Sequence, residues 1–211
     1  MHSKQNNNRI RNLERFKITR RIEKEISDGN FRNINFFLEN SKSEGIYYAL
    51  EMASFYGNLS LVKEITRRAN INSCKYTALH MASENGHFDV IVYLMESGIF
   101  DDLSNSNVLM IAVENNHFAI VEYILSKKDI FGAKFCDINA HYDLALRTAI
   151  EKENFEMVRL LIEHGADVNV LDKMPIELAS KLDNKKIFDY LQKLIDCPNA
   201  FCQELTNSSS Q

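Results

Sequence analysis

The chain has 211 residues, 45% hydrophobic and 26% charged side chains and a net charge of −4, the profile of a soluble globular protein of one domain or two small ones. It contains no window near the roughly 20 apolar residues that span a bilayer, and its start, MHSKQNNNRIRNLERFK, lacks the apolar core of a signal peptide. Four dispersed cysteines (Cys74, Cys136, Cys197, Cys202), without CxxC spacing or a nearby His, argue against a disulfide framework and a zinc site, and for free thiols in a cytoplasmic protein.

The N-terminal third is basic and the rest acidic. Residues 1–70 carry 13 Lys and Arg against 8 Asp and Glu, and residues 71–211 carry 12 against 21. The excess comes mostly from Arg9, Arg11, Arg15, Lys17, Arg20, Arg21 and Lys24, interrupted by Glu14 and Glu23. Ile10, Leu13 and Phe16, then Ile18, Ile22 and Ile26, keep helical spacing among these charges, which reads as an amphipathic capping helix with a solvated basic face. An import signal, a nucleic-acid arm or a membrane-surface helix are the competing readings of the same charges. Nucleic acid is not favoured, because the chain as a whole is not basic.

From residue 47 onward a pattern recurs. Ala49-Leu50-Glu51-Met52-Ala53-Ser54-Phe55-Tyr56-Gly57 is followed by Ala78-Leu79-His80-Met81-Ala82-Ser83-Glu84-Asn85-Gly86, and then by Val108-Leu109-Met110-Ile111-Ala112-Val113-Glu114-Asn115-Asn116. Ala145 to Glu153 is a fourth copy, and Pro175-Ile176-Glu177-Leu178-Ala179-Ser180 opens a weaker fifth. The leucine-type positions Leu50, Leu79, Leu109, Leu146 and Ile176 are spaced by 29, 30, 37 and 30 residues. A diverged match, with Ile22, Gly29, Asn30, Ile34 and Phe36, lies upstream. In each copy apolar residues keep helical spacing over two short segments, such as Leu79, Ala82 and Ser83, then Val90, Ile91, Leu94 and Met95. A recurring small residue (Ala53, Ala82, Ala112, Ala149, Ala179) lets the paired helices approach closely. Gly57 and Gly86 sit between them, where a left-handed backbone suits Gly. Asn116 tolerates that conformation, whereas Glu153 should be strained there or change the turn.

These copies, with Thr77-Ala78-Leu79-His80, Gly86-His87 and Glu163-His164-Gly165-Ala166-Asp167-Val168-Asn169, resemble the ankyrin repeat over roughly residues 17–195. The Pro-poor variant of about 30 residues is similar to the ankyrin proteins of giant DNA viruses and, second, of intracellular bacteria. The resemblance implies an all-α ankyrin-repeat solenoid of stacked helix-turn-helix units with short hairpin-like loops. The family unit is nominally 33 residues, so the copies here suggest trimmed hairpins, and the 37-residue spacing marks an insertion around Lys127–Asp137. The expected organisation is a basic, partly flexible arm at 1–16, a repeat domain at 17–195 (a diverged cap near 17–46 and five repeats near 47–195) and a flexible tail at 196–211.

The titratable residues read as structural. Thr77 and His80 resemble the family's hydrogen-bonded cap at the start of the first helix. No carboxylate is evident to orient His80 toward Cys74. His87, His117 and His164 fall in turn or loop positions, and His87 and His117 stand about one repeat spacing apart, too far for direct shared ligation. Asp101–Asp102, Glu151 with Glu153, and Glu23 with Glu25 read as solvated acids rather than an acid/base pair in a cleft. No phosphate-loop, dinucleotide, zinc-protease or nucleophile-elbow motif occurs. No catalytic residue, metal or cofactor is expected.

The resemblance assigns binding to the inner face, through hairpin tips and the exposed ends of the first helices. The tip positions are Tyr47, Tyr76, Ser106, Asp143 and Lys173. The helix-end positions are Phe55 and Tyr56, Glu84 and Asn85, Glu114 and Asn115, Glu151 and Lys152, then Lys181 and Leu182. The candidate partner-binding set is therefore Tyr47, Phe55, Tyr56, Tyr76, Glu84, Asn85, Glu114, Asn115, Glu151 and Lys152, aromatic first and acidic next. Aromatics of this kind anchor interfaces, and an acidic strip favours a partner bearing Lys or Arg. The competing reading packs the aromatics under the short hairpins or against the N-terminal cap. The expected function is a non-enzymatic protein–protein interaction module, monomeric, with a protein partner on its concave surface. If the source is a virus or intracellular bacterium, that partner is a host protein in the host cytoplasm or nucleus. An adaptor recruiting a target to ubiquitin-ligase machinery through a terminal segment is the alternative, and an enzyme the third reading.

Overall fold

A computed structural model describes residues 20, 23–26, 43–68, 75–97, 102–127, 136–182 and 184–196. Among these residues the regular structure is helical, and it falls into two compact units, Met1–Ile99 and Phe100–Gln211. The first unit holds α1 (Ser43–Phe55), α2 (Leu59–Arg68), α3 (Lys75–Glu84) and α4 (Phe88–Glu96). Here α1 packs on α2 and α3 on α4, while α1 lies against α3 and α2 against α4. The second unit holds α5 (Asp102–Glu114), α6 (Phe118–Ser126), α7 (Ala140–Glu151), α8 (Phe155–Glu163), α9 (Val170–Lys181) and α10 (Lys185–Asp196). Its pairs are α5 with α6, α7 with α8 and α9 with α10, and α5, α7 and α9 stack in series.

The repeated residues do the same work in each pair. Leu50, Leu79, Leu109 and Leu146 are buried, as are Ala53, Ala82, Ala112, Ala149 and Ala179 at the helix contacts. Ile176, the leucine-type residue of the last pair, is half-buried. It lines a shallow groove with Glu177, Ser180, Lys181, Phe188 and Gln192, on the end of the stack where no described repeat follows.

The turn between paired helices is a Schellman motif, which satisfies carbonyls that a helix end would leave unpaired. The N–H groups of Asn58, His87, His117 and Asn154 reach back to the carbonyls of Ala53, Ala82, Ala112 and Ala149 at 2.8–3.0 Å. The residue before each has a left-handed backbone: Gly57 (φ 69°), Gly86 (75°), Asn116 (61°) and Glu153 (53°). Glu153 therefore keeps the turn rather than altering it, at a cost of roughly 1–2 kcal/mol for a non-glycine side chain. Asn58, Asn154 and Asn184 then cap the following helix, accepting from the N–H groups of Leu61, Met157 and Ile187 at 3.0–3.1 Å.

These turns also bond to one another within each unit. His87 Nε2 meets the Phe55 carbonyl at 2.7 Å. Asn154 donates to the Asn116 side chain, and Asn184 donates to Glu153 at 3.0 Å. One residue position thus ties each turn to its predecessor.

Residues of two connections between pairs are described, those before α7 and α9. Asp137 and Asp167 fold back to accept the N–H of Asn139 (3.0 Å) and Asn169 (2.8 Å), the Asx turn that short acidic side chains favour. The backbone is then left-handed at His141, Tyr142 and Asp143, and again at Leu171 and Lys173, before the first helix continues. The expected tip positions lie on helices. Tyr47 lies within α1, Tyr76 is the second residue of α3, and Ser106 lies within α5. Asp143 is not an exposed tip either. It is 2% exposed, drawn into the start of α7, where its carboxylate accepts the N–H of Asp167 at 3.0 Å. Burial raises the Asp143 carboxyl above its usual range, with the Asp167 N–H acting in the opposite direction.

Candidate protein-binding surface

Helical register places the candidate residues of the first unit in two stripes. Tyr47, Glu51 and Phe55 recur every four residues along α1, and Tyr76, His80 and Glu84 do so along α3, so each set shares one face. Phe55, Tyr56 and Tyr76 are 37%, 43% and 42% exposed, which is unusual for large aromatic side chains. Tyr47 is half-buried. Its neighbour Tyr48 donates a hydrogen bond to Glu23, so the segment carrying Glu23 runs along that part of α1. Burial raises the Tyr48 hydroxyl strongly, and the bond to Glu23 adds to the rise. Ile26 of the same segment is buried.

The aromatic pair is held in place. Phe55 and Tyr56 meet edge to face, with ring centroids 5.0 Å apart, a favoured geometry. The Phe55 carbonyl takes the bond from His87, whose ring lies directly over Gly57. A Cβ on Gly57 would stand 2.3 Å from Nδ1 of that ring. Gly57 is thus required twice, by its φ and by the ring.

Glu51 lies between Tyr47 and Phe55 and is half-buried. Its carboxyl is raised above the usual range by burial, an effect opposed by a hydrogen bond from Thr77 on α3. Thr77 thus engages the preceding repeat, and the expected Thr77–His80 cap is not the arrangement found. His80 is exposed. Glu84 and Asn85 are exposed, with the Asn85 amide donating to the Met81 carbonyl at 2.8 Å.

In the second unit Glu114, Asn115, Glu151 and Lys152 are exposed. Asn115 repeats the Asn85 bond, donating to the Ile111 carbonyl at 3.0 Å. Each of these amides satisfies a carbonyl of its own helix end and turns its oxygen outward. Sequence pattern did not single out four other exposed apolar side chains: Tyr142 (68%), Leu171 (47%), Phe88 (38%) and Phe118 (39%). Phe88 and Phe118 share one register with Phe155, the first residue of α8. Phe155 is sheltered by Lys186 (3.8 Å from its centroid) and by an edge-to-face contact with Tyr190 (5.4 Å). That shared register was the available signal.

The remaining candidates are structural where they are described. His164 Nδ1 lies 2.9 Å from the Leu160 carbonyl. Cys136 is buried and forms no disulfide, whereas Cys74, Cys197 and Cys202 lie outside the described residues. So do the arm at 1–16 and the tail beyond Asp196. Among the described residues no group of three or more His, Cys, Asp or Glu side chains is placed to hold a metal ion. No described helix is long and apolar enough to cross a membrane.

The family sequence model for ankyrin repeats, in three copies, matches residues 50–139, and the single ankyrin-repeat model matches residues 142–173. Together they cover more than half of the chain. The chain belongs to the ankyrin repeat family. An ankyrin repeat protein of Rickettsia bellii is 42% identical over 69 residues, covering 30% of this chain and 41% of that protein. An ankyrin repeat protein of fowlpox virus is 33% identical over 123 residues, 56% of this chain and 20% of its own length. Alpha-latrotoxin-Lh1a of Latrodectus hasselti is 27% identical over 200 residues, 75% of this chain and 15% of the toxin. The chain therefore spans less than half the length of each of these relatives. Ankyrin repeats are protein-interaction scaffolds, and that coarse role comes with the family.

Proposed function

We propose that this chain is a non-enzymatic protein-interaction module whose partner docks on the α1–α3 face of the first unit. The observation that supports it is the exposure of Phe55, Tyr56 and Tyr76 on two adjacent repeats. Large aromatics left in water lose the apolar burial they could gain in a partner's pocket, and such residues are the usual interface anchors. Glu84 and Asn85 form the polar rim of that face. Glu114, Asn115, Glu151 and Lys152 are a second, polar contact set on the other unit. The domain partition at 1–16, 17–195 and 196–211 belongs to the same reading, as does a monomeric state. A host protein as partner, met in the host cytoplasm or nucleus, follows from the likeness to ankyrin proteins of a virus and a bacterium.

Affinity capture from host-cell lysate, with the intact chain beside the Phe55→Ser, Tyr56→Ser double variant, tests this. A protein retained by the intact chain and lost from a variant that melts at the same temperature supports the surface. Equal retention by both removes the anchors from this face.

A further inference from the structure

Glu51 is the point on this face where charge and shape disagree with water. Its carboxylate is half-buried on α1. It stands one helical turn from Tyr47 on one side and from Phe55 on the other, with Tyr76 and Thr77 adjacent on α3. No Lys or Arg among the described residues pairs with it. Its hydrogen-bond partner there is the neutral hydroxyl of Thr77. Burial of a carboxylate without a cation disfavours the charged form, and the raised carboxyl of Glu51 is the mark of that imbalance. A cation seated beside it would restore the balance. The neighbouring rings would add cation–π attraction, which strengthens as the site is desolvated.

We infer that Glu51, flanked by Tyr47, Phe55 and Tyr76, is the seat for a Lys or Arg side chain of an extended partner segment. The inference rests on the protein-binding reading of this face and adds its specificity. Spacing extends it. Phe55 lies about 6 Å along the helix from Glu51, and alternate residues of an extended chain stand about 7 Å apart on one side. A segment that places its cation on Glu51 thus places the side chain two residues away on the Phe55–Tyr56 pair. The recognised element is a basic residue and a large apolar residue at positions i and i+2.

The test is selection of a phage-displayed random dodecapeptide library on the intact chain, followed by titration of the enriched peptide. The titrations use the wild type, Glu51→Gln and the Phe55→Ser, Tyr56→Ser double variant. The expected result is an enriched Lys or Arg two positions from a large apolar residue. Glu51→Gln then weakens binding about tenfold, equivalent to about 1.4 kcal/mol, and flattens its salt dependence. Replacing the peptide's basic residue by norleucine has the same effect on wild type and none on Glu51→Gln. Enriched peptides that lack a basic residue, or that bind Glu51→Gln as tightly, overturn the cation seat while leaving the aromatic surface standing. Peptides indifferent to the double variant overturn the surface itself. So does the absence of any enrichment over the urea-unfolded chain.

Discussion

Replacing Gly57 by Ala tests the turn that carries the aromatic pair. Two costs arise, and they differ in kind. The backbone at Gly57 sits at φ 69°, where a Cβ costs about 1–2 kcal/mol. The new Cβ also falls 2.3 Å from Nδ1 of His87. A histidine ring can swing aside, so this clash costs no more than the bond that the ring must abandon. That bond, from Nε2 to the Phe55 carbonyl at 2.7 Å, is worth about 1 kcal/mol. Gly57→Ala should therefore destabilise the first unit by about 2–3 kcal/mol, and His87→Ala alone by about 1 kcal/mol. In the double variant the clash has no target, so the change at Gly57 adds only its backbone cost to the bond already lost, about 2–3 kcal/mol in all. The sum of the two single effects should thus exceed the effect of the double change by about 1 kcal/mol, the coupling that a double-mutant cycle reads. Urea denaturation followed by circular dichroism measures all three variants. Additive effects would refute the placement of the His87 ring over Gly57. A neutral Gly57→Ala would refute the left-handed turn as well.

Three further outcomes follow from buried or strained groups. Ser54 is fully buried and its hydroxyl has no hydrogen-bond partner, so Ser54→Ala should stabilise by about 1 kcal/mol; a loss of stability in urea would show the hydroxyl to be satisfied. Glu153 holds a left-handed backbone and accepts a bond from Asn184. Glu153→Gly should raise the urea midpoint by relieving the backbone, whereas Glu153→Ala should lower it by losing the bond and keeping the strain; equal signs would refute the argument. Asp143 is buried with its carboxyl raised, so the folded state holds its proton to higher pH than the unfolded state does. Its contribution to stability is greatest below the unfolded carboxylate range near 3.9 and is lost as pH rises through the raised value. Asp143→Asn can still accept the Asp167 N–H, so its stability relative to wild type should grow from acid toward neutral pH. A difference constant with pH in urea titrations would place the Asp143 titration at its unfolded position.

What the sequence made legible was whatever depends on one repeat repeating itself. The leucine and alanine positions are buried in each described pair because each pair solves the same packing problem with the same residues. Ile176, in the last described pair, departs from that rule and is half-buried. Exposed side chains obey no such rule. Tyr47 and Tyr76 occupy one register, yet Tyr47 is half-buried and Tyr76 is 42% exposed. Tyr47 lies beside the segment that clasps Tyr48 through Glu23, a contact between residues 25 apart in sequence that no periodicity announces.

The loops show why the reading of the tips failed while the reading of the turns held. A Schellman turn is local. Its hydrogen bonds close within six residues, and the left-handed position can be found by alignment even when Glu153 fills it. The connection between pairs instead meets a neighbouring repeat. Asp137 and Asp167 each turn the chain through an N–H two residues on, and the Asp143 carboxylate meets the backbone of the next connection at Asp167. Thr77, the residue expected to pair with His80, bonds Glu51 of the preceding repeat. A motif legible within one repeat therefore does not announce the partner that its side chain finds in the next. Glu51, the carboxylate we assign to recognition, takes its hydrogen bond from that neighbouring repeat.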